Sequence, residues 1–154
     1  MSVDRSYWSQ VHPHPLAPNE DDVSVYRQLL AGSQTILLLG NTPALMDLCT
    51  AALDSAPFID DPKVLAGDWR ENTERFDAII GDGVLNFTHD LAEDVLAMAQ
   101  RHCKVFVARS FSRKLDIMRI ADNFPRADDF SIRPNELIER DEYNFFVWRF
   151  ADND

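Results

Sequence analysis

The run TILLLG, residues 35–40, constrains the fold of this chain more than any other segment. Four successive apolar residues leave no polar face, so a strand made from them has to be covered on both sides. Strands of that kind belong to parallel sheets flanked by helices. ERFDAIIGDG over 74–83 and CKVFVARSF over 103–111 read the same way. Helical spacing appears around them. Asn19 is a good N-cap for a helix over about 20–31, with Glu20, Asp21 and Asp22 at its positive end and Gly32 as its stop. ALMDLCTAALD, which follows Pro43, predicts a second helix with Leu45, Leu48, Cys49 and Ala52 on one face. HDLAEDVLAMAQRH over 89–102 and SRKLDIMRIADNF over 112–124 predict two more. Late strands are expected at about 128–134 and 143–150, joined by a turn and short helix in NELIERDE. The alternation implies an α/β fold, a mainly parallel sheet with an antiparallel C-terminal hairpin at its edge.

The chain has 154 residues and is 45% hydrophobic, enough for one domain with a sizeable core. VHPHPLAP at 11–18 carries three prolines, so residues 1–19 are read as an extended arm and 20–154 as a single α/β domain. A formal charge of -11 argues against broad binding to a phosphate backbone. No apolar run approaches the roughly 20 residues of a membrane span. Neither nucleic acid nor membrane is therefore an expected partner. MSVDRSYWSQVHPHP lacks the apolar segment of a secretory signal, and Cys49 and Cys103 form no disulfide framework, so a cytoplasmic location is expected. His12 and His14 have no third ligand near them, and no metal site is expected. No G-x-S-x-G elbow or legible Ser-His-Asp order is present.

Ligands of open parallel sheets bind beyond the carboxyl ends of the strands. Three expected strand ends are unusual here: Gly40-Asn41-Thr42-Pro43, Gly67-Asp68-Trp69 and Gly81-Asp82-Gly83. Four of the chain's five glycines lie in them, which gathers sharp turns and close backbone approach at one rim. Each alone has a plain structural reading as a turn glycine or a turn-capping aspartate. Together they favour a small-molecule pocket.

The runs LLLGNTPAL (37–45), AGDWRE (66–71) and FDAIIGDGVLNF (76–87) resemble the small-molecule branch of the S-adenosylmethionine-dependent methyltransferases, in the form with LLLG-x-TP-x-L as first motif. The resemblance spans about residues 7–111. It implies a reduced, doubly wound Rossmann-like methyltransferase fold with S-adenosylmethionine as cofactor and a small-molecule substrate. It further implies that Gly40, Asn41 and Thr42 line the methionine end and that Asp68 and Trp69 flank the adenine. Gly81, Asp82 and Gly83 would lie near the sulfonium and the acceptor, with Asp82 or His89 as base where the acceptor has to lose a proton. Asp60, 20 residues after Gly40, suits the ribose hydroxyls, and Asp68 is the alternative.

One departure matters. APFID and KVLAGDW are separated only by Asp61 and Pro62, whereas a parallel crossover needs about a dozen residues or more. The alternative reading is therefore a non-catalytic module of the same fold that serves interaction or regulation. Two other features stand apart from the motifs. Arg101, Lys104, Arg109, Arg113 and Lys114 form a basic island that reads either as an anion site at the rim, through Arg109 and Arg113, or as helix-end charge and a solvated loop. YNFFVWRF at 143–150, as an edge strand, would expose aromatic rings, so Trp148 and the detached Trp8 are the candidates for a homodimer or partner surface.

Overall fold

A computed structural model of the chain describes residues 14–40, 42–53, 72–87, 92–113 and 124–150. They build a six-stranded sheet whose strands, in chain order, are β1 Ile36–Leu39, β2 Ala51–Leu53, β3 Ala78–Ile80, β4 Val105–Phe111, β5 Glu136–Glu139 and β6 Tyr143–Arg149. Across the sheet the order is β2-β1-β3-β4-β6-β5. The first four strands are mutually parallel, and β6 is antiparallel to β4 and to β5. The helices are α1 Glu20–Leu29, the short α2 Val84–Phe87 and α3 Ala92–His102. This is the expected Rossmann-like α/β arrangement, mostly parallel with an antiparallel C-terminal part.

The local causes are visible residue by residue. All four residues of β1 are buried, as an apolar run between two strands and two covered faces has to be. Asn19 caps α1: its side chain accepts from the Asp22 backbone N–H at 2.9 Å, and the Asp22 carboxylate accepts from Asn19 N–H at 3.1 Å. This reciprocal box satisfies two otherwise orphaned donors. Tyr26 and Leu30, four residues apart, turn inward from α1, and Val95, Leu96, Met98 and Ala99 turn inward from α3.

The period-2 alternation of the strands sorts the core into two layers. Leu37, Leu39, Ile79, Phe106, Ala108, Phe146 and Trp148 meet α3. Leu38, Ile80, Val107, Phe145 and Val147 meet α1. On the α3 face Trp148 stacks on Phe106 with centroids 5.4 Å apart, and Phe130 stands edge-on to it at 5.2 Å. The Trp148 indole N–H donates to the Ile132 carbonyl at 2.8 Å, so its one polar atom is satisfied.

Four sequence expectations are corrected. The helix expected after Pro43 is a 3-10 turn, Pro43–Leu48, and the chain then pairs with β1 as the parallel strand β2. The expected strand at 128–134 is mostly turn and bend, beginning with a 3-10 turn at Ala127–Asp129, and the hairpin arm is β5, within NELIERDE. The sheet edge at this end belongs to β5: β6 lies between β4 and β5, and Trp148 is wholly buried. Edge pairing through the aromatic strand therefore has no free edge to use. Finally, residues 14–17 form a turn against the α1 face instead of an extended segment. The expected helix at 112–124 falls almost wholly outside the described residues, as do APFID, KVLAGDW and Trp8.

Candidate functional site

The carboxyl end of β3 does not turn away from β4 at once. Gly81 N–H donates to the Val107 carbonyl at 2.9 Å and Gly83 N–H to the Arg109 carbonyl at 2.8 Å, so the ladder runs on through Gly-Asp-Gly. Alternation then places Asp82 on the α1 side, after Ile80, and Arg109 on the same side, after Val107. The two side chains meet as a bidentate pair. Arg109 Nε donates to Asp82 Oδ1 at 2.7 Å and Nη2 to Oδ2 at 3.0 Å. Tyr26, reaching down from α1, donates its hydroxyl to the same Oδ1 at 2.6 Å.

Arg109 is fully buried, and its remaining donors go to the segment before α1. Nη1 donates to the Pro15 carbonyl at 2.7 Å and Nη2 to the Leu16 carbonyl at 3.0 Å. The guanidinium also lies over the Tyr143 ring at 4.7 Å and the Phe111 ring at 5.2 Å. A second carboxylate, Asp22, sits 3.6 Å from Nη1 and accepts the Tyr143 hydroxyl at 2.6 Å. His14 stands over this end of the network, edge-on to Tyr143 and 3.5 Å from Asp22. The result is a buried cluster in which each nitrogen of the guanidinium has a hydrogen-bond acceptor, the condition for keeping it out of water.

The electrostatics agree. Burial works against the charge on Arg109, yet Asp82, Tyr26 and Asp22 hold its pKa above the ordinary arginine value. Burial and the neighbouring Asp82 push the Tyr26 hydroxyl well above the usual tyrosine range. Burial and the hydrogen bond to Asp22 push Tyr143 up to about 12. Both tyrosines are thus neutral donors at any physiological pH.

The carboxyl end of β1 is different. Gly40 has φ +105, a conformation that L side chains rarely adopt, and an atom at its Cβ position would meet nothing within 4 Å among the described residues. Thr42 follows, half-buried, and its hydroxyl makes no capping bond to the turn that begins at Pro43. Gly40 is half-buried and lies at the rim where α/β sheets take ligands.

The expected site residues therefore divide. Gly40 and Thr42 stand at an open rim. Gly81, Asp82 and Gly83 are buried and tied into β4. Gly81 has a packing reason to be glycine, since a Cβ there would lie 3.2 Å from the Phe106 ring and 3.3 Å from Val84. Asp82, expected near the acceptor, accepts three donor hydrogens on its two oxygens and is 8% exposed. Asn41, Asp60, Asp68, Trp69 and His89 lie outside the described residues. Among the described residues the basic island is dispersed, and Lys114 lies outside them. Arg109 is internal, Arg113 points to solvent at 3.8 Å from Glu142, and Arg101 ends α3.

Tyr26, Asp22, Tyr143 and Asn86 were missed as polar partners. The buried Asn86 pairs with Phe111 as a strand would, accepting from its N–H at 2.8 Å and donating to its carbonyl at 3.0 Å. One signal for the network was present: Arg109 in the apolar run VFVARSF has to be buried if that run is a central strand, and a buried arginine demands a carboxylate.

No protein-family model and no curated protein matches this chain. Among solved structures it is similar to the N-terminal domain of EvdMO1 with bound S-adenosylhomocysteine (SAH), at TM-score 0.50 and 14% identity over 97% of this chain and 85% of that one. The same domain in the presence of SAH and D-fucose also matches, at TM-score 0.50 and 14% identity over 92% of this chain and 85% of that one. At that identity the likeness establishes a shared fold.

Proposed function

We propose that this chain binds S-adenosylmethionine and its demethylated product SAH across the carboxyl ends of β1 and β3, and that it is a methyltransferase acting on a small molecule. The observation that carries the reading is Gly40: a positive-φ glycine with no described residue within 4 Å of where a Cβ would be, at the carboxyl end of β1 in a fold shared with an SAH-bound domain. Gly40 and Thr42 would hold the methionine end, and Asp60 or Asp68, with Trp69, would take the ribose and adenine. The cofactor supplies an electrophilic methyl group on a sulfonium. The chain's own contribution is binding and alignment, which suffices where the acceptor is already nucleophilic. Asp82 positions the Gly81–Gly83 turn through Arg109 and removes no proton.

A second reading rests on that same lock. Asp82, the carboxylate of the Gly81–Gly83 turn, is engaged by Arg109 and Tyr26. A non-catalytic module of the same fold is what such a rim would serve if the acceptor needed deprotonation. Isothermal titration with S-adenosylmethionine and SAH, on protein checked by mass spectrometry for carried-over ligand, tests the first reading. Micromolar binding of either supports it. No heat and no co-purified ligand, from a folded protein, would overturn it in favour of the module.

A further inference from the structure

The strongest feature that this function does not use is the grip of Arg109 on the segment before α1. Arg109 lies more than 90 residues along the chain from Pro15 and Leu16, yet it donates to both of their carbonyls. Leu16 and Pro18 are buried, and Leu16 joins the α1-side core. Residues 14–18 therefore cross the α1 face at the carboxyl ends of β3 and β4, beside the rim.

We propose that residues 14–18 are a strap closing the rim on the α1 side, that Arg109 is its latch, and that strap closure and ligand binding at the rim reinforce each other. The ligand part of this statement rests on the proposed function; the latch does not. The grip is on backbone carbonyls, so it reads the path of the strap and not its side chains. Lifting the strap would leave two N–H groups of a buried guanidinium without acceptors, which is why the closed form is favoured. The coupling runs through one short chain of contacts. A ligand over Gly40 would press on the Gly81–Gly83 turn that carries Asp82, Asp82 orients Arg109, and Arg109 holds Pro15 and Leu16. Linkage makes such coupling reciprocal.

Chymotrypsin cleavage after Leu16, followed by mass spectrometry, reads the strap directly, because a protease needs an unseated, extended segment. In ligand-free protein, Arg109→Lys, which keeps the charge for Asp82 but loses the fork, should be cut after Leu16 at least tenfold faster than wild type, with unchanged near-ultraviolet circular dichroism. Leu16→Ala, which keeps Arg109 but removes both the strap's buried anchor and the chymotrypsin site, is read instead by hydrogen–deuterium exchange of the amides at positions 16 and 17, which should be at least tenfold faster than in wild type, and it serves if Arg109→Lys fails to fold. Equal cleavage or exchange rates in wild type and in a folded variant would overturn the latch. SAH should slow this cleavage in wild type at least threefold and bind Arg109→Lys, or Leu16→Ala in its place, at least tenfold more weakly. SAH that binds wild type and variant alike, leaving cleavage unchanged, would overturn the coupling. SAH that fails to bind wild type would overturn the proposed function and the coupling with it, while the ligand-free rates still decide the latch.

Discussion

The two faces of the sheet solve the same problem with different chemistry. Under α3 the core is apolar throughout its centre, with Trp148, Phe106, Phe130 and Phe146 packed ring against ring. Under α1 it is apolar near the strand starts but changes at the carboxyl ends into Asp82, Arg109, Asp22 and two tyrosines. Apolar packing is non-directional and tolerates rearrangement. A buried bidentate ion pair does not, because any misplaced atom leaves a charge without compensation. The α3 face accordingly supplies stability, and the α1 face fixes position where position matters, at the rim beside Gly40.

Substitutions should separate the faces, the ion pair giving the largest effect. Arg109→Met, in urea unfolding, should lower stability by about 3–5 kcal/mol, because it strands the Asp82 carboxylate in the interior. The double variant Arg109→Met with Asp82→Asn should lose clearly less than the sum of the two single changes; strict additivity would show that the pair is not a unit. On the α3 side Gly81→Ala pushes a methyl toward the Phe106 ring and Val84 and should reduce stability by about 1–3 kcal/mol, as overpacking does. A neutral result there would mean that Phe106 yields freely.

Alkaline pH distinguishes the faces less sharply. Tyr26 and Tyr143 have raised pKa values on the α1 face, and burial raises Cys103 to about 12 and Cys49 to about 11. A group whose folded pKa is raised contributes stability in full below its unfolded pKa and loses it as pH climbs through the folded value. The urea midpoint should therefore hold from neutral pH to about 8, begin to fall as the cysteines of the unfolded chain ionise near about 8.5, and fall steadily towards about 12. Tyrosinate absorbance from Tyr26 and Tyr143 should rise only together with unfolding, and its appearance in the native protein at pH 10 would contradict their burial. The smallest effect belongs to the exposed pair of Arg149 with Glu136, at 3.0 Å and about half-exposed on both sides. Arg149→Ala should change stability by less than about 1 kcal/mol.

The legible parts of the fold were those with a strong local cause. TILLLG could be little other than a buried strand, and Asn19 followed by three acids could be little other than a helix start. ALMDLCTAALD misled because alanine and leucine spacing fits a helix, whereas Ala51–Leu53 is too short a strand to show any period and is held by pairing with β1. ELIE in β5 misled because an edge strand keeps Glu136 and Glu139 in water, which blurs its alternation. The place of β6 between β4 and β5 is a fact of topology that no local pattern encodes. The site shows the same division. Gly40 and Asp82 were each visible as rim residues, but the pairing of Asp82 with Arg109, 27 residues on, follows only from the β3–β4 register.

The open rim at Gly40 is the centre of this account, and SAH titration of Gly40→Ala beside wild type tests it most directly. The methyl group meets no described residue within 4 Å but forces a strained φ, so the variant should remain folded, less stable by about 1–2 kcal/mol. The account predicts micromolar SAH binding to wild type and binding at least tenfold weaker to the folded variant. Equal affinity for the two would place any ligand elsewhere and contradict it.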